Sequence, residues 1–314
     1  MEDVVFTGLG TVNPLGNSVP EFWESIKAGK SGAGPITRFD TTGFATTYAA
    51  EVKEFDPKAR IDRRDARKMD RFSHYAVYAA AEALADAGLE IRGGGYDPDR
   101  TGVILGVGIG GFETIEGSIR TLQEKGPDRV PPMTIPKLIA NIAPGHIAIM
   151  MDSHGPAFSL NTACASGTDA IHNGVRAIRA GECDVVVTGG VEASITPLGI
   201  SGFNVIQALS TKYADDPAKA SRPFDKDRDG FVMGEGSGIL VLESRSHAEK
   251  RGARIYATVA GSAMTCDANH LTAPHPEGRG AIEAMRKAVK SAGVDVTEID
   301  YINAHGTSTP INDP

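Results

Sequence analysis

Five stretches of the chain are apolar and rich in β-branched residues: 4–12 (VVFTGLGTV), 101–108 (TGVILGVG), 157–163 (AFSLNTA), 184–190 (DVVVTGG) and 238–244 (GILVLES). They alternate with segments of helical periodicity, a pattern that predicts an α/β architecture. Several lack the two-residue alternation of a half-exposed strand, so they are expected to be buried on both faces. The clearest helix spans 66–87, where Met69, Phe72, Ala76, Ala79, Ala80, Ala83, Leu84 and Ala87 form one apolar face that stops at Gly88. Its alanine-rich middle predicts close packing under a sheet. Beyond 250 the order restarts, with a strand at 254–260, a helix at 279–292 and a strand at 299–306. Residues 1–250 therefore read as one α/β half, and 251–314 as the start of a second half that is expected to be incomplete.

Composition narrows the class. The 314 residues are 41% hydrophobic, enough for a sizeable core, and 32 Lys and Arg stand against 40 Asp and Glu. A net charge of −8 argues against a general nucleic-acid binder and against a protein of anionic membrane surfaces. The N-terminus, MEDVVFTGLG, lacks the positive region of a signal peptide, and no apolar run reaches the ~18 residues of a membrane span, so a cytoplasmic protein is expected. Cys164, Cys183 and Cys266 are an odd set at irregular spacing, which suits reduced thiols. The segment 58–71, KARIDRRDARKMDR, carries seven basic and three acidic residues. If it is helical, Arg60, Arg64, Arg67, Lys68 and Arg71 share one face, and its contrast with the acidic remainder points to an acidic protein partner.

Candidate chemistry centres on SLNTACASGTDAIH (159–172). Cys164 sits where an apolar β-like run meets a helix start, and Ala165, Ser166 and Gly167 follow in place of bulky packing residues. Unpaired N–H groups and the positive end of the helix dipole there favour a thiolate, the nucleophilic form of cysteine. Cys183, inside GECDVVVTGG, reads as an inert packing thiol. GVGIGG (106–111) matches the dinucleotide fingerprint, but the prolines at 127, 131, 132 and 136 argue against the clean crossover helix and acidic ribose ligand which that use requires. Cys266, Asp267, His270 and His275 fit no usual zinc spacing, so they read as a polar loop wall facing a cleft, with no metal expected. RPFDKDRDGFVMGEGSG (222–238) reads as a rigid loop lining a site, and NAHGTSTP (303–310) sets His305 at a strand's carboxyl end, where α/β folds place their sites.

Taken together, NTACASGTDAIH, RPFDKDRDGFVMGEGSG, NAHGTSTPINDP and the opening VVFTGLGTVNPLG resemble the β-ketoacyl-acyl carrier protein synthases of the elongating type, synthase II, along the whole chain. The resemblance implies a thiolase fold, five αβαβα layers from two pseudo-repeated halves, the second incomplete here, and usually a homodimer. It implies fatty acid elongation by decarboxylative condensation of an acyl thioester with malonyl-carrier protein, with acyl carrier protein as partner and no cofactor. Cys164 would accept the acyl group, its own N–H serving as one oxyanion donor, and His305 would be one of two active-site histidines. Thr307 and Thr309 would meet the phosphopantetheine arm, His270 would contact substrate from its loop, Ile109 would floor the acyl pocket, and Arg64, Arg67 and Lys68 would dock the carrier. Family members continue to a lysine, a second histidine and a glycine-phenylalanine gating loop that this sequence does not contain, so the 314 residues are expected to be unable to condense and to be poorly stable. A polyketide-type ketosynthase subunit shares all four motifs. A non-catalytic partner of the chain-length-factor kind would lack Cys164, and a degradative thiolase would need a second reactive cysteine that Cys266 does not resemble.

Overall fold

The computed structural model describes residues 2–313. In chain order the elements are β1 (Val4–Val12), α1 (Val19–Lys27), β2 (Gly34–Pro35), β3 (Tyr48–Ala49), α2 (Arg63–Ala66), α3 (Arg71–Asp86), β4 (Thr101–Val107), α4 (Phe112–Lys125), α5 (Thr134–Leu138), α6 (Ile142–Met151), β5 (Ala157–Leu160), α7 (Ser166–Arg179), β6 (Val185–Glu192), α8 (Pro197–Val205), β7 (Gly236–Ser244), α9 (Arg245–Lys250), β8 (Ala257–Thr258) and α10 (Arg279–Ala292). Six strands form one mixed sheet in the order β5-β4-β6-β7-β1-β8. β4 runs parallel to β5 and to β6, and the remaining pairs are antiparallel.

The strands lack apolar alternation because both faces of the sheet are covered. Val103, Leu105, Val187 and Val241 pack with Phe72, Leu84 and Ile147 of α3 and α6 on one face. Ile104, Val186 and Leu242 pack with Ala170, Val175 and Ile178 of α7 on the other. The alanines of α3 allow its backbone to lie against β1, where a Cβ on Gly8 would come within 2.1 Å of the Ala83 carbonyl oxygen.

Four expectations from the sequence change. The helix predicted over 66–87 begins only at Arg71, because the buried Asp70 adopts an extended N-cap conformation and its side chain accepts the Phe72 N–H. The same carboxylate holds Thr114 of α4 through its N–H and hydroxyl. The basic residues of 58–71 therefore share no single helix face: Arg64 lies in α2, Arg67 and Lys68 in the turn that follows it, and Arg71 at the start of α3. A 14-residue helix, α4, does follow GVGIGG, with the prolines falling after it. In the last quarter α10 forms as expected, but 254–260 gives only the two-residue edge strand β8 paired with β1, and 299–306 forms no strand. A strand is held by ladder hydrogen bonds, and no neighbouring chain offers them to 299–306 among the described residues. Leu271, Tyr301, Ile302 and Ile311 are correspondingly exposed.

Candidate active site

β5 delivers the chain to a tight elbow. Ala163 has φ +50°, a left-handed conformation that a residue with a Cβ rarely adopts, and Cys164 follows in a single 3₁₀ turn that runs into α7. Ser166 pins the elbow: its hydroxyl accepts the Thr162 N–H at 2.8 Å and donates to the Ala163 carbonyl at 2.7 Å. The Thr162 hydroxyl reaches Asp169 in the first turn of α7 at 2.6 Å. Small residues after the cysteine are required by what lies beneath them. A Cβ on Gly106 of β4 would sit 2.1 Å from the Ser166 carbonyl carbon, and Gly167 packs directly on Gly190 of β6. The N-terminus of α7 can thus rest on the sheet only if these positions stay small, which leaves Cys164 exposed above it. Its backbone N–H has no acceptor among the described residues.

Cys164 opens onto a cleft of about 990 Å³ lined largely by glycine and apolar side chains, among them Leu15, Phe22, Phe203, Phe231 and Met233. Phe203 and Phe231 meet edge to face, with ring centroids 5.3 Å apart. The 222–238 motif supplies the stretch Gly234–Gly238 of the wall; the part expected as loop throughout is strand from Gly236, where β7 begins and pairs with β1 and β6. At the base of that wall the buried Glu235 binds Arg38 in a bidentate pair and accepts the Tyr75 hydroxyl at 3.0 Å and the Val52 N–H at 2.8 Å. The cleft is therefore largely apolar, with a hydrogen-bonded carboxylate set into its wall.

Ile109 also lines the cleft, 41% exposed, on the turn between β4 and α4. Its N–H donates to Glu192 at 2.6 Å. Burial raises the Glu192 carboxyl above its ordinary range, against the Ala193 N–H, the Ser194 hydroxyl and the N–H groups of Ile109 and Gly110, which act to hold it down. Glu192 carries no motif of its own in the sequence, although it ends the run DVVVTGGVE at a strand's carboxyl end, where α/β folds build sites. Cys183 is 1% exposed, and burial pushes its thiol up to about 11.

The other singled-out residues lie elsewhere. His305 is exposed and is not among the side chains lining the cleft. The segment after it is anchored: Ser308, at φ +65°, accepts the Arg222 N–H through its hydroxyl and the Gly230 N–H through its carbonyl, and Arg228 donates to the Thr309 carbonyl. The 222–238 and 303–310 motifs are thus packed together, with the hydroxyls of Thr307 and Thr309 2.7 Å apart. His270 is exposed, and its Nδ1 accepts the N–H groups of Thr272 and Ala273 in a local turn. No group of three His, Cys, Asp or Glu among the described residues is placed to hold a metal ion. Arg64 and Arg67 are exposed without an ion pair among the described residues, whereas Lys68 pairs with Asp65 at 2.9 Å.

Comparison with known proteins decides the family. Residues 1–248 match the beta-ketoacyl synthase N-terminal domain, and residues 256–314 match the C-terminal domain. The chain belongs to the beta-ketoacyl synthase family. It is 49% identical over 310 residues to the 3-oxoacyl-[acyl-carrier-protein] synthase 2 of Synechocystis sp., and 47% identical to that of Vibrio cholerae, covering 99% of this chain and 74% of each relative. Among solved structures, the ishigamide ketosynthase/chain length factor superposes with a TM-score of 0.91 at 37% identity, over 99% of this chain and 75% of that one. A beta-ketoacyl synthase from Burkholderia phymatum gives 0.91 at 34%, over 100% and 76%. A type II PKS acyl-carrier protein in complex with its ketosynthase bound to the hexaketide gives 0.89 at 32%, over 99% and 75%. The fold is accordingly the thiolase-like fold of this beta-ketoacyl synthase family, and the sheet with α3 and α6 on one face and α7 on the other supplies three of its layers. No helix among the described residues is long and apolar enough to cross a membrane.

Proposed function

We propose that this beta-ketoacyl synthase is a 3-oxoacyl-[acyl-carrier-protein] synthase of fatty acid elongation, with Cys164 as its acyl acceptor. The observation that carries the reading is the placement of Cys164, at a strained elbow over the N-terminus of α7 and at the mouth of an apolar cleft. In the first half-reaction the Cys164 sulfur attacks the thioester carbonyl carbon of an acyl carrier protein, and the oxygen that gains charge is met by the unpaired Cys164 N–H. Collapse breaks the carrier's C–S bond, and the carrier thiol leaves with the proton that cysteine gave up. In the second, the carboxylate carbon of a malonyl thioester departs as carbon dioxide and leaves its electron pair on an enolate. The α-carbon of that enolate then attacks the acyl carbonyl carbon on Cys164, a C–C bond forms as the Cys164 C–S bond breaks, and cysteine returns as the leaving group.

The two half-reactions draw on different residues. Acyl transfer needs the elbow, the N–H and the cleft. Enolate stabilisation is assigned to His305, which lies outside the cleft lining in these 314 residues. Arg64, Arg67 and Lys68 dock the acidic carrier, a homodimer in the cytoplasm is the working assembly, and residues 1–250 form the half that bears the nucleophile. Identity of 47–49% to synthase 2 relatives, against 32% to the type II PKS ketosynthase complex, favours fatty acid elongation over the polyketide alternative. Measuring the halves separately tests the reading: Cys164→Ala is expected to abolish acyl-enzyme formation from acyl carrier protein, and His305→Ala to depress carbon dioxide release from malonyl-carrier protein while leaving acyl-enzyme formation in place. Absence of the acyl-enzyme in the wild-type protein contradicts the assignment of Cys164, and undiminished carbon dioxide release in His305→Ala contradicts that of His305.

A further inference from the structure

Glu192 ends β6 at the same height as the turn that ends β4, and the two meet through its carboxylate. Oε2 accepts the Ile109 N–H at 2.6 Å, and Oε1 accepts the N–H of Ala193 at 2.8 Å. The approach is possible because position 108 is glycine, since a Cβ there would lie 2.7 Å from Oε2. Glu192 makes no salt bridge among the described residues. It lies in the lining of the cleft that holds Cys164, and its hydrogen-bond donors there are the Ile109 and Ala193 N–H groups. A carboxylate kept in an apolar cleft without a counter-charge is an unfavourable way to stabilise a fold, since an apolar residue would fill the same space without the desolvation penalty.

We infer that Glu192 is a positioning residue for chain-length selection: it tethers the 108–110 turn and so holds Ile109 where the acyl chain on Cys164 must end. The inference rests on the proposed reading of the cleft as the acyl site. The turn has few other restraints in the direction of the cleft. On its far side Gly110 and Gly111 lie against Leu138, with the Gly111 N–H bonded to the Leu138 carbonyl at 3.0 Å. Losing the carboxylate leaves the Ile109 N–H without a partner in an apolar wall, and the turn moves to find one. Ile109 then no longer marks a fixed depth.

The test reads the ratio of kcat/KM for acylation of Cys164 by 4-carbon and 12-carbon acyl carrier protein, so that any general loss of folded protein cancels within each variant. Glu192→Ala is expected to flatten the wild-type discrimination about tenfold. Glu192→Gln, which retains one carbonyl acceptor, is expected to recover most of it. In an Ile109→Ala background, Glu192→Ala is expected to add no further change, because both substitutions remove the same restraint. An unaltered ratio in Glu192→Ala overturns the inference, as does a shift that adds fully to that of Ile109→Ala. If Ile109→Ala alone leaves the ratio at its wild-type value, the reading of the cleft as the acyl site falls first, and the role of Glu192 with it.

Discussion

Cys164 and Cys183 show how residues of one type diverge by surroundings alone. Cys183 is enclosed by the second core cluster and its thiol is pushed up to about 11, which holds it in the unreactive form at neutral pH. Cys164 has an unpaired N–H beside it and an apolar cleft in front. The same contrast at Ile109 leads to a prediction. Replacing Ile109 by Phe overfills the cleft, at a cost of about 1–3 kcal/mol for the longest chains, and should shorten the longest acyl group transferred. A product profile identical to wild type would show that Ile109 does not limit the cleft. Cys164 was legible in the sequence because a helix start and a run of small residues both leave a local pattern. Glu192 was not, because its role depends on Gly108, brought beside it only when β4 and β6 pair in parallel.

At the scale of elements, the strands of the first half follow from apolar β-branched runs, α3 from its apolar face and the start of α7 from the small residues after Cys164, and the departures have local causes. Asp70 broke the predicted helix because its carboxylate caps α3 and binds Thr114, a contact 44 residues away that no window of sequence contains. The 299–306 strand failed because a strand depends on a neighbour, whereas a helix such as α10 satisfies its own backbone. The split of the basic segment alters the docking argument without removing it: α2 and the following turn still present Arg64 and Arg67 to solvent, while Lys68 spends part of its charge on Asp65. Changing Arg64 and Arg67 together to Glu should raise KM for an acyl carrier protein several-fold and flatten its dependence on salt, with a far smaller effect on a free pantetheine thioester. Equal losses with both substrates would place the defect in the fold instead of the docking surface.

For the whole molecule, an ion-paired carboxylate joins the β1–β8 ladder in tying the sheet to the start of the last quarter. Glu243 of β7 is fully buried and accepts hydrogen bonds from Arg251, from His247 of α9 and from Thr7 of β1. Burial alone would raise its carboxyl, but these three donors outweigh it and bring it to about 2, from an ordinary 4.5. A folded-state value below the unfolded one stabilises the native state fully above pH 4.5, and that stabilisation, about 3 kcal/mol, is lost as pH falls toward 2. Denaturation midpoints should fall across that window in wild type and fall less steeply in Glu243→Gln; equal slopes would mean that Glu243 does not carry the effect. The central claim, that the elbow at Cys164 is where this beta-ketoacyl synthase takes up its acyl group, is tested most directly by intact-mass and peptide-mass analysis after incubation with an acyl carrier protein. The expected result is one acyl group per chain, located on Cys164, absent from Cys164→Ala and retained in Cys183→Ala. An acyl group on any other residue, or one that persists in Cys164→Ala, would contradict it.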